Sequence, residues 1–314
     1  MTNVDSTPLH PPQSHSAGRA ETIRIEGADS IDWLRCLPFI ALHLGCLAVF
    51  LVGWSWIALA TAVAMYVFHM FAITAFYHRY FSHRAFKTSR AFQFLMAVAA
   101  TSSAQRGPLW WAAHHRHHHK HSDDEHDYHS PSRHGLLMSH IGWFMTKGAF
   151  RTPERYVRDW SRFAELRFIN TFDWLSPVLL AGALFGLGEL LARFAPGLGA
   201  NGWQMFVWAF VVSTVAVYHV TYTINSLAHR YGTQPYNTGD DSRNSFLLAV
   251  LTLGEGWHNN HHYFPASARQ GFRWWQVDLT YYGLRVLEMT GLIWGLRAVP
   301  ARVLEEGRTK ERRA

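Results

Sequence analysis

The chain has 314 residues, 49% of them hydrophobic and 15% aromatic, with 21 histidines, two cysteines and a formal charge of +7. Its mean hydropathy of −0.07 resembles that of a soluble protein, but the histidines and polar ends pull the average down. Two cysteines exclude a disulfide framework and a thiolate metal site, and a basic face apposed to anionic headgroups accounts for the charge with no nucleic acid involved.

Residues 1–30 are polar, rich in Pro, Ser and His, and read as a disordered tail without a cleavable signal peptide. No Asp, Glu, Lys or Arg occurs from Cys36 to His78, nor from Phe194 to His229. A membrane-spanning helix takes about 20 mostly apolar residues. The first stretch therefore holds two spans, predicted at 36–53 and 55–77. The second pair is predicted at 174–194 and 203–227, turning at "APGLGANG". Charge-free runs of this length argue against a buried hairpin in a soluble protein. Glu189 and Arg193 fall near the end of the third span, where long side chains reach the interface. Of the 29 Lys and Arg residues, Arg193 alone lies on the far side. The positive-inside rule then places the other face in the cytoplasm, with the chain in the inner (cytoplasmic) membrane.

Between the hairpins, "AFQFLMAVAATSSA" suits a helix too short to cross, and "RTPERYVRDWSRFAELRFI" suits an amphipathic helix at the membrane surface. No strand-like alternation stands out. The expected fold is an all-α integral membrane protein with four transmembrane helices in two hairpins. A single domain over 31–295 includes a cytosolic helical cap, built from 78–171 and 228–295, that holds a histidine-rich metal site. A basic C-terminal tail follows at 296–314.

Three histidine clusters sit on the cap side: His78 and His83; the tract Trp110–His126 with its seven histidines; and His258, His261 and His262. Positions i, i+3 and i+4 fall within an arc of about 100° on a helix, so three imidazoles can converge. His78 and His83, five apart, do not share an α-helical face and are expected to approach from different directions. The middle tract fits the same spacing twice, as His114, His117 and His118 (extended by His121) or as His115, His118 and His119, and helical geometry does not choose. Each cluster alone has a bland reading, whether a surface pair or a histidine-rich metal scavenger. Together on one membrane face they mark a site. Two ligands from the first cluster and three from each of the others exceed what one transition metal takes, so they imply two metals. Glu255 and His258 form the only Glu-x-x-His match, which excludes the carboxylate-rich di-iron bundle. A nitrogen-rich bimetal site beside a membrane points to iron and O2 chemistry, although imidazole alone also suits zinc or copper. A membrane metal transporter or storage protein would instead place ionisable ligands at mid-membrane. His43, His69 and His219, inside the spans, read as core or lipid-interface residues.

These features resemble the membrane fatty-acyl desaturases, in particular their delta-9, stearoyl-CoA desaturase-like branch. The likeness covers about residues 50–290 and rests on "HRYFSHRAFKT", "HRHHHKHSD", "SHIGWF", "NSLAHRYGTQPYNTGDDSRN" and "GEGWHNNHHYFP". The resemblance implies metal ligation by His78, His83, His115, His118, His119, His229, His258, His261 and His262, with Asn225 acting through water. It thereby selects the second register of the middle tract and leaves His114, His117 and His121 as supporting or surface residues, with His126 unassigned. It implies two iron ions, O2 as co-substrate and a cis double bond, at delta-9, in a saturated acyl chain. Acyl-CoA is expected ahead of acyl-lipid as the carrier. Electrons would come from a separate donor, a ferredoxin or a haem protein with an NAD(P)H reductase. A related fatty-acyl or lipid hydroxylase would carry the same boxes. Asp240, Asp241, Arg243 and Glu255 are candidates to orient ligands. Trp110, Trp111 and Trp257, with the stretch Phe272–Trp275, are candidates to line an acyl tunnel. One departure stands out: where animal acyl-CoA enzymes have an Arg-Asp pair before the middle box, this chain has Ala113 and His114.

Overall fold

A computed structural model describes residues 30–311. The tail expected over 1–30 lies outside the described residues, Ser30 apart. Helix α1 (Trp33–Val52) starts where the Asp32 side chain accepts the Arg35 N–H. It ends at Gly53, whose φ of +65° an L side chain rarely adopts. Ser55 then caps α2 (Trp56–Ser82) by accepting the Ala58 N–H. The second hairpin is α6 (Leu175–Phe194) and α7 (Gly202–Ser226). The longer helices that precede it in the cap are α3 (Arg90–Thr101), α4 (Pro108–His121) and α5 (Ala164–Thr171). The cap is completed by α8 (His258–Tyr263), α9 (Leu279–Met289) and α10 (Ala301–Glu311). Its one two-stranded pairing among the described residues sets β1 (Lys87–Thr88) antiparallel to β2 (Ile293–Trp294), with Lys87 opposite Trp294.

Four helices are long and apolar enough to cross a membrane, and they divide by burial. Only 6% of the α1 window and 22% of the α6 window are buried, against 33% for α2 and 56% for α7. The inner pair is thus α2 and α7, while α1 and α6 turn Leu47, Phe50, Leu51, Leu179 and Phe194 outward. Exposed Trp33 and Trp174 at the cap end, and Trp54, Trp56 and Trp203 at the other, form the two aromatic belts of a membrane-spanning protein. At the far turns, the Trp208 indole donates to the Gly53 carbonyl and Glu189 accepts the Gly202 N–H, which gives that carboxylate a partner.

At 27 residues, α2 outlasts the bilayer and carries its end into the cap. Its last eleven residues, Ala72–Ser82, are π-helical. Around this segment the cap core closes: Ala97 and Ala100 of α3 and Ala112 and Ala113 of α4 are buried against Tyr77 and Phe81. Pro108 opens α4 at a position where a missing N–H costs nothing. Gly107 precedes it because a Cβ there would meet the Asn170 backbone of α5; Asn170 also accepts the Trp110 N–H.

Two segments differ from the sequence expectation. Residues 151–169 are not one amphipathic helix: a 3-10 turn at Glu154–Tyr156 and a short helix at Arg158–Ser161 precede α5. Phe163 is extended between them, and Asp159 is drawn inward by the Arg116 guanidinium, which it accepts at 2.9 and 3.1 Å. Burial of Val157, Trp160, Leu166 and Ile169 outweighs a regular helix here. In the stretch expected as a basic tail, α10 packs back on the cap, with Val303 buried and its carbonyl accepting the Tyr236 hydroxyl at 3.0 Å.

Candidate metal centre

Nine imidazoles gather at the cap end of α2 and α7 in two clusters, within each of which a ring nitrogen from every member lies within 4.8 Å of the others. The first holds His78, His83, His115, His119 and His261; the second holds His118, His229, His258 and His262. The middle box is thus split, with His115 and His119 one turn apart on α4 facing the first cluster and His118 the second. His114, His117 and His121 turn away: His114 bonds the Arg151 carbonyl at 3.0 Å, His117 stacks on Tyr128, and His121 meets Asp124. His126 lies near His121, beside Glu125.

The expectation that His78 and His83 approach from different directions is overturned by the π-helix. An i→i+5 hydrogen bond closes a wider turn than the α-helical one, and the His83 N–H donates to the His78 carbonyl in this pattern at 3.2 Å. The fifth residue comes back over the first, and the two rings stand 4.9 Å apart in one cluster.

The third box is placed by the glycines around Glu255. Gly254 has φ +132°, and a Cβ on it would collide with Asp278. A Cβ on Gly256 would collide with the Ala249 backbone. Glu255 is thereby threaded into the interior, where it contacts His78 Nδ1 and accepts from the fully buried Arg79, which also bonds Asp278.

Three further carboxylates hold ring nitrogens: Asp123 meets His229 Nδ1 at 2.8 Å, Asp127 meets His118 Nδ1 at 3.0 Å, and Asp240 meets His262 Nδ1 at 2.7 Å. Each fixes the Nδ1–H tautomer and turns the Nε2 lone pair toward the cluster. Burial would raise these acids, but the histidine contacts prevail: Asp123 is held down to about 2, Asp127 and Asp240 stay well below the ordinary carboxylate range, and Glu255, with Arg79 beside it as well, is lowered. Burial first, then repulsion from neighbouring imidazoles, pushes His83, His115, His119, His258 and His261 well below the usual histidine value, and His262 to about 4. These are neutral nitrogen donors at pH 7. Burial opposes protonation of His118 as well, but Asp127 outweighs it and raises that group.

The donor set fits transition metal ions. Nε2 pairs stand 2.8 Å apart (His83–His115), 2.9 Å (His119–His261) and 3.0 Å (His78–His261 and His229–His258). Two nitrogens bound at right angles to one ion at about 2.1 Å would stand about 3.0 Å apart. The buried His262 Nε2 has no hydrogen-bond partner, as a ligand atom would not.

Of the four residues expected to orient ligands, Asp240 and Glu255 touch ring nitrogens. Asp241 contributes its backbone N–H to Asp123, and Arg243 its backbone N–H to Ala228, while the buried Arg243 Nε has no hydrogen-bond partner. Asp123 and Asp127 were not singled out from sequence, although both follow the middle box within the tract "SDDEHD". His129, a third neighbour of Asp127 and His118, was missed with them. His43 and His219 join His140 of the cap in a chain, His43 Nε2 to His219 Nε2 at 3.0 Å and His219 Nδ1 to His140 Nε2 at 3.1 Å. His69 contacts Ser102.

A cavity of about 710 Å³ reaches the clusters, with His115, Asn225, Trp110 and Trp111 in its wall. Trp257 does not line it. Its indole donates to the Val277 carbonyl, and it packs between Phe246 and Trp275 on the other side of α8. Phe272 is likewise buried against Tyr236 and Val303 under α10, and Trp274 is exposed. The aromatics after the third box seal the cap rather than the cavity.

The fatty acid desaturase family model matches residues 54–291. The chain belongs to that family. The sn-1 stearoyl-lipid 9-desaturases of Anabaena variabilis and Synechocystis are each 35% identical to this desaturase. The former aligns over 86% of this chain and 96% of its own length, the latter over 85% and 81%. An acyl-CoA 5-desaturase of Anemone leveillei is 37% identical over 88% of this chain and 82% of its own. Within the desaturase, α10 lies beyond the matched residues.

Proposed function

We propose that this desaturase uses its two histidine clusters to hold two iron ions and, with O2 as co-substrate, introduces a cis double bond at delta-9 of a saturated acyl chain. The observation that carries this reading is the meeting of nine imidazoles, gathered in two clusters, with the inner end of an apolar cavity at His115 and Asn225. Bound iron supplies the O2 activation and electron transfer needed to break an unactivated C–H bond. The chain's own residues do the rest. His78, His83, His115, His119 and His261 bind one ion, and His118, His229, His258 and His262 the other, with Asn225 acting through water. Asp123, Asp127, Asp240 and Glu255 hold four of those rings in the binding tautomer. Trp110 and Trp111 exclude water beside the acyl chain. Two electrons per turnover come from a separate donor, a ferredoxin or a haem protein with its NAD(P)H reductase. The basic cap faces the cytoplasm, with the spans in the inner membrane.

The delta-9 position is supported by the 9-desaturases among the relatives; those relatives include acyl-lipid and acyl-CoA enzymes alike. The test is expression in a host lacking this activity, with double bonds located by mass spectrometry of derivatised methyl esters. New delta-9 monoenes are expected. Unchanged chains despite iron loading and a competent donor would refute the reading, and hydroxylated chains would move it to a hydroxylase.

A further inference from the structure

The cavity does not end inside the cap. Besides His115 and Asn225 its wall includes Tyr222 and Tyr218 of α7, and it reaches between the spans, where Ala41 and Leu42 of α1 and Val178 and Ala181 of α6 line it. Phe210 of α7 lines it as well. Helices α1 and α6 both pack along α7 but hardly touch each other, so a slot separates them. Ala41 and Val178 at its rim are exposed, Val178 by 56%. Ala41 lies about 12 Å along α1 from Trp33 at 1.5 Å per residue, which sets the slot inside the apolar layer rather than at the aqueous face.

The charged end of the cavity has a balanced charge. Arg35 and Arg106 both sit over the Phe150 ring, at 5.5 and 5.2 Å. Arg35 is paired with Asp32, and Arg106 with Asp173 at 3.4 Å. Each cation thus has its own carboxylate. Ala113, at a position where animal acyl-CoA enzymes carry arginine, is sealed in the cap core. A nucleotide bearing several phosphates needs unbalanced cations; the headgroup end of a glycerolipid, already at the interface, does not.

We propose that the slot between α1 and α6 is the substrate gate: a saturated chain still esterified to a membrane glycerolipid enters it sideways from the bilayer, while its glycerol backbone stays at Arg35 and Arg106. This rests on the desaturase reading above and specifies how that site is filled. The chain never leaves an apolar environment, and the ester remains at the depth where the lipid already holds it.

The purified, iron-loaded protein is reconstituted with its electron donor in vesicles of phosphatidylglycerol carrying isotope-labelled stearoyl chains, with labelled stearoyl-CoA offered in parallel. The double bond is expected in the intact lipid. A bond formed only in the CoA ester would overturn the gate and leave the desaturase reading standing; a bond in neither would remove both. The slot itself is tested with Val178→Cys, labelled by a bulky methanethiosulfonate and compared with its own unlabelled rate, with wild type treated alike to account for Cys36 and Cys46. Labelling should lower lipid turnover at least tenfold, and reductant should restore it, which excludes misfolding as the cause. Complete labelling with unchanged turnover would overturn the proposal.

Discussion

Replacing Asp240 with asparagine should harm metal binding more than replacing it with alanine. Asp240 Oδ2 meets His262 Nδ1 at 2.7 Å, while its Oδ1 accepts three donors, the Thr238 hydroxyl at 2.6 Å, the Ser242 hydroxyl at 2.5 Å and the Ser242 N–H at 3.0 Å. An asparagine has one oxygen and one NH2 for these two sides. Leaving a buried donor unmet costs about 1–3 kcal/mol, so three donors outvote one and the oxygen takes the Thr238–Ser242 side. The NH2 then faces His262 Nδ1, which must become an acceptor, and the ring proton moves to Nε2, where the lone pair is needed. Losing a ligand's supporting partner costs 10–100-fold in metal affinity, or about 1.4–2.7 kcal/mol, and D240N belongs at the upper end. D240A releases the ring without imposing the wrong tautomer, though it strands the Thr238 and Ser242 donors. Chelator-competition titrations of Fe(II) should therefore rank wild type above D240A above D240N, while thermal melts of the metal-free proteins rank D240A lowest. An asparagine variant that binds metal as tightly as wild type would refute the tautomer argument.

The remaining expectations concern individual ligands, the buried ion network and acid. His118→Ala and His261→Ala, one in each cluster, should each abolish turnover while the protein still inserts, as checked by product analysis alongside membrane fractionation. Arg79→Met should leave Glu255 and Asp278 without their shared cation in the interior and cost about 3–5 kcal/mol; an unchanged melting temperature would contradict this. His114, His117 and His129, outside the two clusters, are pushed down to about 4, 3 and 3, chiefly by burial. The unfolded chain then binds more protons than the folded one between about pH 6.5 and 3. Stability is thus present above the unfolded value and lost as pH falls through that window. Melting temperatures of the metal-free protein should drop from pH 7 to 5, and a flat or rising profile would count against these burials.

The four spans were legible because charge-free runs report directly on the solvent they face, and the observed ends fall within a few residues of those expected, except at α2. There the helix continues five residues further, because π-helical bonding carries it into the cap. That conformation leaves no period in "AITAFYHRYFS", so the convergence of His78 and His83 could not be read. The spacing of His258, His261 and His262 was legible, since a helix fixes angles between nearby residues. Asp123 and Asp127 come from a loop, where spacing carries no angular information. Aromatic content equally misled at Trp257, because an indole sealing one side of a helix looks in sequence like one lining the other. The chain His43–His219–His140 joins three segments far apart in sequence, and no local pattern announces it.

The carboxylates behind the rings also settle a matter of charge balance. An imidazole that gives its Nε2 lone pair to a metal is a neutral ligand, so the nine would contribute nothing to the formal charge of a loaded pocket. Asp123, Asp127, Asp240 and Glu255 contribute four negative charges, and Arg79 is answered by Asp278. Two divalent cations would bring four positive ones, so a centre loaded in that way would sum to zero. An electroneutral centre can sit beside an apolar cavity without the cost of an isolated charge at low dielectric. The same carboxylates, without ions, leave an acidic hole in a basic cap, which draws divalent metal inward.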